Sequence, residues 1–257
     1  MLSVIDLDKT SSKRFLILVS NNPHHAVENQ LLASLPREEY ERLVANMELV
    51  PLTFKQVLYA PNESIQYVYF PKSGVVSLLT LMEDGTAVEV GTVGNEGMVG
   101  LPVFLGSNKI PGQALAQIPG EAWRMRVDVF KDKVIPGSTL HDLLQRYTQA
   151  LFNLISQIAA CNRIHSVEER FCRWLLMTQD RVGSDEFPLT QEFLSQMLGV
   201  RRPTVSLSAS VLQKAGLIRY VRGKMTILDR EGLEASSCEC YMIIKSEFER
   251  LLGSDVA

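Results

Sequence analysis

The stretch from Leu189 to Met225 constrains the fold most tightly, because it holds two short helical patterns separated by a single glycine. In Thr190–Leu198 the apolar residues Phe193, Leu194, Met197 and Leu198 fall at i, i+1, i+4 and i+5, one buried face of a helix. Gly199 ends that helix, since glycine takes the left-handed backbone of a tight interhelical turn, and Val200 is placed to plug the angle. The next helix opens at Arg201-Arg202-Pro203, with proline in the first turn where its missing N–H is harmless. Val205, Leu212 and Leu217 supply its inward side, which leaves Arg201, Arg202, Thr204, Ser206 and Ser208 outward. After Ala215-Gly216, Leu217–Tyr220 and Met225–Leu228 read as strands around a tip carrying Arg222 and Lys224. Two helices, a basic second helix and a hairpin are the outline of a winged helix-turn-helix, in which arginine reads guanine and hydroxyls and cations hold phosphates.

At 257 residues and 46% hydrophobic content the chain is sized for two domains. The apolar run Phe15–Val19 is far short of the roughly 20 residues a membrane helix needs, and a cytoplasmic location is expected. Cys161, Cys172, Cys238 and Cys240 are irregularly spaced, which suggests reduced thiols and no disulfide framework. The formal net charge is −3, yet residues 201–230 carry a local balance of +6. A basic face on an acidic protein directs phosphates to one place.

Residues 31–135 hold short β-like runs at Gln56–Tyr59, Tyr67–Phe70, Val75–Leu79 and Thr86–Val90, the spacing of a small antiparallel barrel or jelly roll. Asp84-Gly85 supports a two-residue hairpin turn. Gly91, Gly94, Gly97 and Gly100 recur every third residue, either to admit a phosphate close to the backbone or simply to turn corners. From Leu140 the period changes: Leu140, Leu144, Tyr147, Leu151, Leu154, Ile158 and Cys161 alternate four and three apart. Such a seam predicts a coiled-coil homodimer, with Leu143, Phe152 and Ile155 turned toward the β domain; the alternative is an amphipathic helix on its own core. Asn162–His165 is a candidate hinge, and Ser166-Val167-Glu168-Glu169 is a capping box opening a helix whose buried face holds Phe171, Cys172, Trp174 and Leu175. The organisation expected is α+β: an arm (1–29), an antiparallel β-roll (30–137), a dimerisation helix and hinge (138–165), and a winged helix-turn-helix domain (166–257).

In this order the elements resemble the Crp/Fnr family of bacterial transcription regulators over about residues 30–230. The likeness is carried most by Val167–Arg170, Leu198–Ser206, Gly216–Ile218 and Arg222-Gly223. It implies a homodimer on inverted-repeat double-stranded DNA, with Arg202 reading guanine and Thr190 and Thr204 touching phosphates. Pro203 and Leu207 stand where the catabolite activator branch has glutamate and arginine, so its operator is not expected here. An RNA polymerase contact is implied only for an activator. The family's nucleotide-binding members resemble one another in a Gly-Glu-Leu segment and an Arg-Ser pair, to which Gly100-Leu101-Pro102 and Gly112-Gln113-Ala114 correspond. Without those charged residues a buried cyclic phosphate lacks a counterion, which argues against cyclic AMP and leaves the effector unknown, with Arg124 or Arg126 as possible substitutes. Cysteines placed to hold an N-terminal iron–sulfur cluster are also missing, the first being Cys161.

Cys238-Glu239-Cys240 admits two readings, a redox- or metal-sensing pair assisted by Cys161 and Cys172, or two thiols on a C-terminal helix near the wing. The expected site set contains no metal and no cofactor. His24, His25, His141 and His165 give no haem pattern. A metal-dependent cupin-like enzyme is the competing function class, opposed by the lack of any histidine in residues 50–135; a module that controls a partner protein is a third.

Overall fold

The computed structural model describes residues 29–253; Phe15–Val19 and His24-His25 of the expected arm lie outside the described residues. Helices α1 (Gln30–Ala33) and α2 (Arg37–Val44) lead into strands β1 (Glu48–Leu52), β2 (Val57–Tyr59), β3 (Tyr67–Pro71), β4 (Val75–Leu81) and β5 (Ala87–Val93). A one-turn helix α3 (Leu101–Phe104) precedes β6 (Gly112–Ile118) and β7 (Gly120–Arg126). All pairings are antiparallel, in two sheets ordered β1-β7-β3 and β2-β6-β4-β5. Val75, Val76, Val93, Ala114 and Ala116 are wholly buried, small and β-branched side chains that let the two sheets close on one another. The β4–β5 turn is longer than the expected two residues: Met82–Thr86 loop out, Gly85 alone takes a positive φ of 82°, and the Asp84 carboxylate accepts from the Thr86 N–H.

Helix α4 (Val127–Lys133) leads to α5 (Thr139–Ile164), whose 26 residues span about 39 Å. Here the structure corrects the sequence reading. Leu140, Leu144, Tyr147, Leu151, Leu154 and Ile158, expected at a dimer interface, are buried inside the chain itself. One end of the seam packs on the β-roll, where the Tyr147 hydroxyl donates to the Met98 carbonyl at 3.1 Å, and α10 (Cys240–Leu252) returns along the other end. Phe152, expected to face the roll, borders the space between the roll and α5 yet is 66% exposed. A heptad over about three turns satisfies a neighbouring core as well as a partner helix, because only the seam's apolar character is specified. The glycine series also finds its reason here: Gly97 lies against the Tyr147 ring and Gly91 against Leu154 and Ile155, so these glycines admit α5.

The hinge is shorter than expected, since Asn162 and Ile164 are still helical and only His165 and Ser166 separate α5 from α6 (Val167–Val182). The capping box forms as the sequence indicates, with Ser166 accepting from the Glu169 N–H and Glu169 from the Ser166 N–H. Strand β8 (Glu186–Pro188), helices α7 (Gln191–Leu198) and α8 (Arg202–Lys214), strands β9 (Ile218–Val221) and β10 (Lys224–Ile227), and α9 (Arg230–Ser236) complete the C-terminal unit. β8 joins the hairpin in a sheet ordered β8-β10-β9. No helix among the described residues is long and apolar enough to cross a membrane.

The two units dock through a buried polar cluster. Ser77 Oγ lies 2.7 Å from Glu89 Oε2 and 2.6 Å from Gln117 Oε1, and Trp174 of α6 donates its indole N–H to Glu89 Oε1 at 3.0 Å. Beside it, Arg181 of α6 donates to Glu96 at 2.9 Å, both side chains nearly buried.

Candidate functional site

α7 and α8 meet at Gly199, which takes φ +62 and ψ 35 as the sequence requires. Thr190 caps α7 by accepting from the Phe193 N–H, and the residue is exposed, so its hydroxyl hydrogen remains available to an outside acceptor. Arg201 caps α8, and Arg201 and Arg202 project from the helix start into solvent. Arg202 pairs with Glu192 of α7 at 2.9 Å, an exposed bond across the turn. Thr204 and Ser206 follow on the outer side, Ser206 donating back to the Arg202 carbonyl at 3.2 Å. Val205, Leu212 and Leu217 are buried, as their period indicates.

Ser208 is a correction. It is wholly buried and donates to Glu168 of α6 at 2.7 Å, so it fastens the second helix to the scaffold and is closed to DNA. Its place is taken by Leu207, 65% exposed, with Val211 one turn on; their signal was an apolar residue lying off the inward period. The wing turns at Arg222-Gly223, with φ of 51° and 78°, the pair of positive angles a two-residue hairpin requires. Lys224 stands beside the tip in an exposed ion pair with Glu186. Thr190, Arg201, Arg202, Thr204, Ser206, Arg222 and Lys224 thus all keep surface access, and the helix and wing cations have no buried carboxylate to neutralise them.

A cavity of about 350 Å³ lies between the β-roll and α5. Gly100-Leu101-Pro102 and Gly112-Gln113 both line it, as do Leu78, Val90 and Ile155. No cationic or anionic side chain among the described residues borders it; the Tyr59 hydroxyl, pushed up to about 12 by burial, stays neutral. Arg124 instead pairs with Glu48 at 2.6 Å and stacks over Tyr67, and Arg126 pairs with Asp128 at 3.0 Å, so neither substitutes for the missing cation.

Four further side chains converge at the far end of α5. Cys161, His165, Cys238 and Cys240 bring their sulfur and nitrogen atoms within 4.8 Å of one another. The C-terminal helix that carries Cys240 packs on α5 and α6, not near the wing as expected, and Cys172 stays apart from the group. Burial pushes the Cys172 thiol up to about 12, as suits an inert core residue.

Two family models match the chain: a cyclic nucleotide-binding domain over residues 50–136 and a Crp-like helix-turn-helix domain over residues 169–236. Comparison with curated proteins by sequence gives no match. Among solved structures, FixK2 from Bradyrhizobium japonicum is similar with TM-score 0.64 at 17% identity, covering 75% of this chain and 98% of its own. A CRP-family transcriptional regulator of Thermus thermophilus, TTHB099, gives 0.62 at 18% identity over 73% and 96%. The c-di-GMP-responsive regulator CLP of Xanthomonas campestris gives 0.60 at 15% identity over 75% and 99%. The two matched domains take in more than half of the chain, in the order and with the connecting helix that the structure displays, and the protein therefore belongs to the Crp/Fnr family of DNA-binding transcription regulators.

Proposed function

We propose that this regulator binds an inverted-repeat operator as a homodimer, reads a guanine in each half-site with Arg202, and answers to a neutral, apolar effector in place of cyclic AMP. The observation that carries the operator reading is the exposed guanidinium of Arg202 at the start of α8. Arg201, Thr190, Thr204, Ser206 and the wing cations Arg222 and Lys224 surround it as phosphate contacts, and Leu207 suits a thymine methyl group. Dimerisation is supported by a face of α5 that the internal seam leaves open: Gln145, Gln149, Phe152, Ser156, Ala159 and Arg163 recur four and three apart and are all exposed. A second copy on that face places two readers side by side, as a palindromic site requires.

The effector reading rests on the cavity. A cyclic phosphate there would give up its hydration with no cation in return, whereas an apolar ligand is matched by the lining. Phe152 lines the cavity and lies on the open face of α5, so a partner helix would also border the ligand. The polymerase contact of an activator and the cytoplasmic location remain part of this reading through the family.

Selection of bound duplexes from random DNA, at matched salt, tests the reading with the wild-type protein and Arg202→Ala. The expected result is an inverted repeat in which one guanine per half-site loses about 1–3 kcal/mol of preference in the variant. An unchanged motif would remove Arg202 from base reading.

A further inference from the structure

We infer that Cys161, His165, Cys238 and Cys240 form a zinc site that clamps the C-terminal helix to the end of α5. The four ligand atoms come from two segments far apart in sequence. Cys161 lies in the last turn of α5 and His165 is its C-cap; Cys238 precedes α10 and Cys240 is the first residue of that helix. Cys161 Sγ and Cys238 Sγ are 3.5 Å apart, and Cys240 Sγ is 3.6 Å from His165 Nδ1. At zinc–sulfur and zinc–nitrogen bond lengths of about 2.3 and 2.0 Å, tetrahedral ligands stand somewhat under 4 Å from one another, so these separations suit one ion shared by all four. The one-residue spacing of Cys238 and Cys240, unusual for a zinc motif read along a sequence, is no obstacle, because the other two ligands arrive from a different helix.

Three surroundings fit the same ion. His165 Nε2 lies 3.1 Å from Glu239 Oε2, the carboxylate–histidine arrangement that fixes a ligand tautomer and leaves Nδ1 its lone pair. Gln157 donates to Cys240 Sγ at 3.1 Å, a hydrogen bond of the kind that steadies a thiolate. Arg170 and Arg173, both buried, form no ion pair with a carboxylate among the described residues, and the Nε of each lacks a hydrogen-bond partner. Three thiolates and a neutral imidazole around a divalent ion leave one negative charge, which this pair of cations would balance. Cys172, one residue from Arg173 in sequence, stays outside the group and serves as an internal control.

Ligation would exchange the thiol protons for the metal and join the hinge side of the sensor helix to the segment that follows the reader. The inference does not depend on the operator or effector reading. It is tested on the full-length protein, purified without a metal-affinity tag under reducing conditions and supplied with zinc, by elemental analysis and by titrating native thiols with a mercurial while a chromogenic chelator reports released zinc. One zinc per chain, freed as three thiols react, is expected in the wild type and in Cys172→Ser; Cys161→Ser and the double change Cys238→Ser with Cys240→Ser should hold almost none. Cobalt replacement should give the visible absorption of a tetrahedral thiolate site. Zinc-free wild-type protein or equal zinc loss in Cys172→Ser would each overturn the proposal.

Discussion

Glu89→Gln tests whether sensor and reader are joined by a proton-dependent lock. Ser77 has one hydroxyl hydrogen but faces two acceptors, Glu89 at 2.7 Å and Gln117 at 2.6 Å. The cluster closes if Glu89 carries a proton and donates to Ser77, which then donates to Gln117. Burial agrees: it holds the Glu89 carboxyl at about 7 against an ordinary 4.5, opposed by hydrogen bonds from Ser77 and Trp174 and by the charges of Arg173 and Arg181. Because the folded-state value lies above the unfolded one, the folded protein binds this proton more tightly. Stability from this group is therefore greatest below pH 4.5, falls as pH rises toward 7, and levels off above it. The full interval is worth about 3 kcal/mol, most of which develops between about pH 5 and pH 8. Glutamine keeps an acceptor for Trp174 and a donor for Ser77 without a titrating group. Urea unfolding followed by tryptophan emission at several pH values is the assay. Wild type should lose about 2–3 kcal/mol more than Glu89→Gln across that range, the variant being the more stable protein at the alkaline end. Curves that run parallel to within about 0.5 kcal/mol would refute the reasoning, since that is the size of ordinary additivity error.

Other perturbations address the corrected residues. Ser208→Ala should cost about 1 kcal/mol in thermal unfolding by leaving Glu168 without its partner, while operator affinity measured well below the transition stays unchanged. Gly97→Ala forces a methyl group into the Tyr147 ring and should destabilise the protein by about 1–3 kcal/mol, read by denaturant midpoint. Phe152→Glu places a charge on the open face of α5 and should shift sedimentation from dimer to monomer, whereas Gln145→Glu at the stripe's end should shift it less.

The reader was legible because its signals are local. Gly199, Pro203 and Arg222-Gly223 act through their own backbone angles, and each stands where its chemistry placed it. The long helix was legible as a helix, but not in what it faces. Period alone marks an apolar stripe, and Leu144 or Leu154 pack equally well against a roll or a second chain. Ser208 failed for a related reason: on a helix that touches both scaffold and solvent, a small hydroxyl suits either side, and only Glu168, 40 residues earlier, decides it. The thiol group was half legible. Cys238 and Cys240 stand out as a pair that Cys161 and Cys172 could assist, yet Cys172 stays apart and His165 joins with Cys161 because α10 doubles back along α5. Glu89 gave no signal at all, since a glutamate in a strand ordinarily faces water.

Cavity and lock share one sheet, and the sheet is irregular where they meet. Along β4, Ser77 turns toward the reader and Leu78 lines the cavity; along β5, Glu89 meets Trp174 and Val90 lines the cavity. Successive side chains on a strand face opposite ways, so neighbouring residues serve the two surfaces. Pairing slips at this level: Leu78 lies opposite Gly91 and Leu79 opposite Glu89, which leaves Val90 as the extra, unpaired residue of a bulge. Val90, on the cavity wall, and Glu89, in the polar cluster, are joined by a single peptide unit. On the other side Gly91, having no side chain, rests against Leu154 and Ile155 of α5. The cavity wall at Val90 and Gly91 thus adjoins two elements, α5 and the Glu89 cluster. Both lead to α6, since α5 reaches it through only His165 and Ser166 and Glu89 reaches it at Trp174.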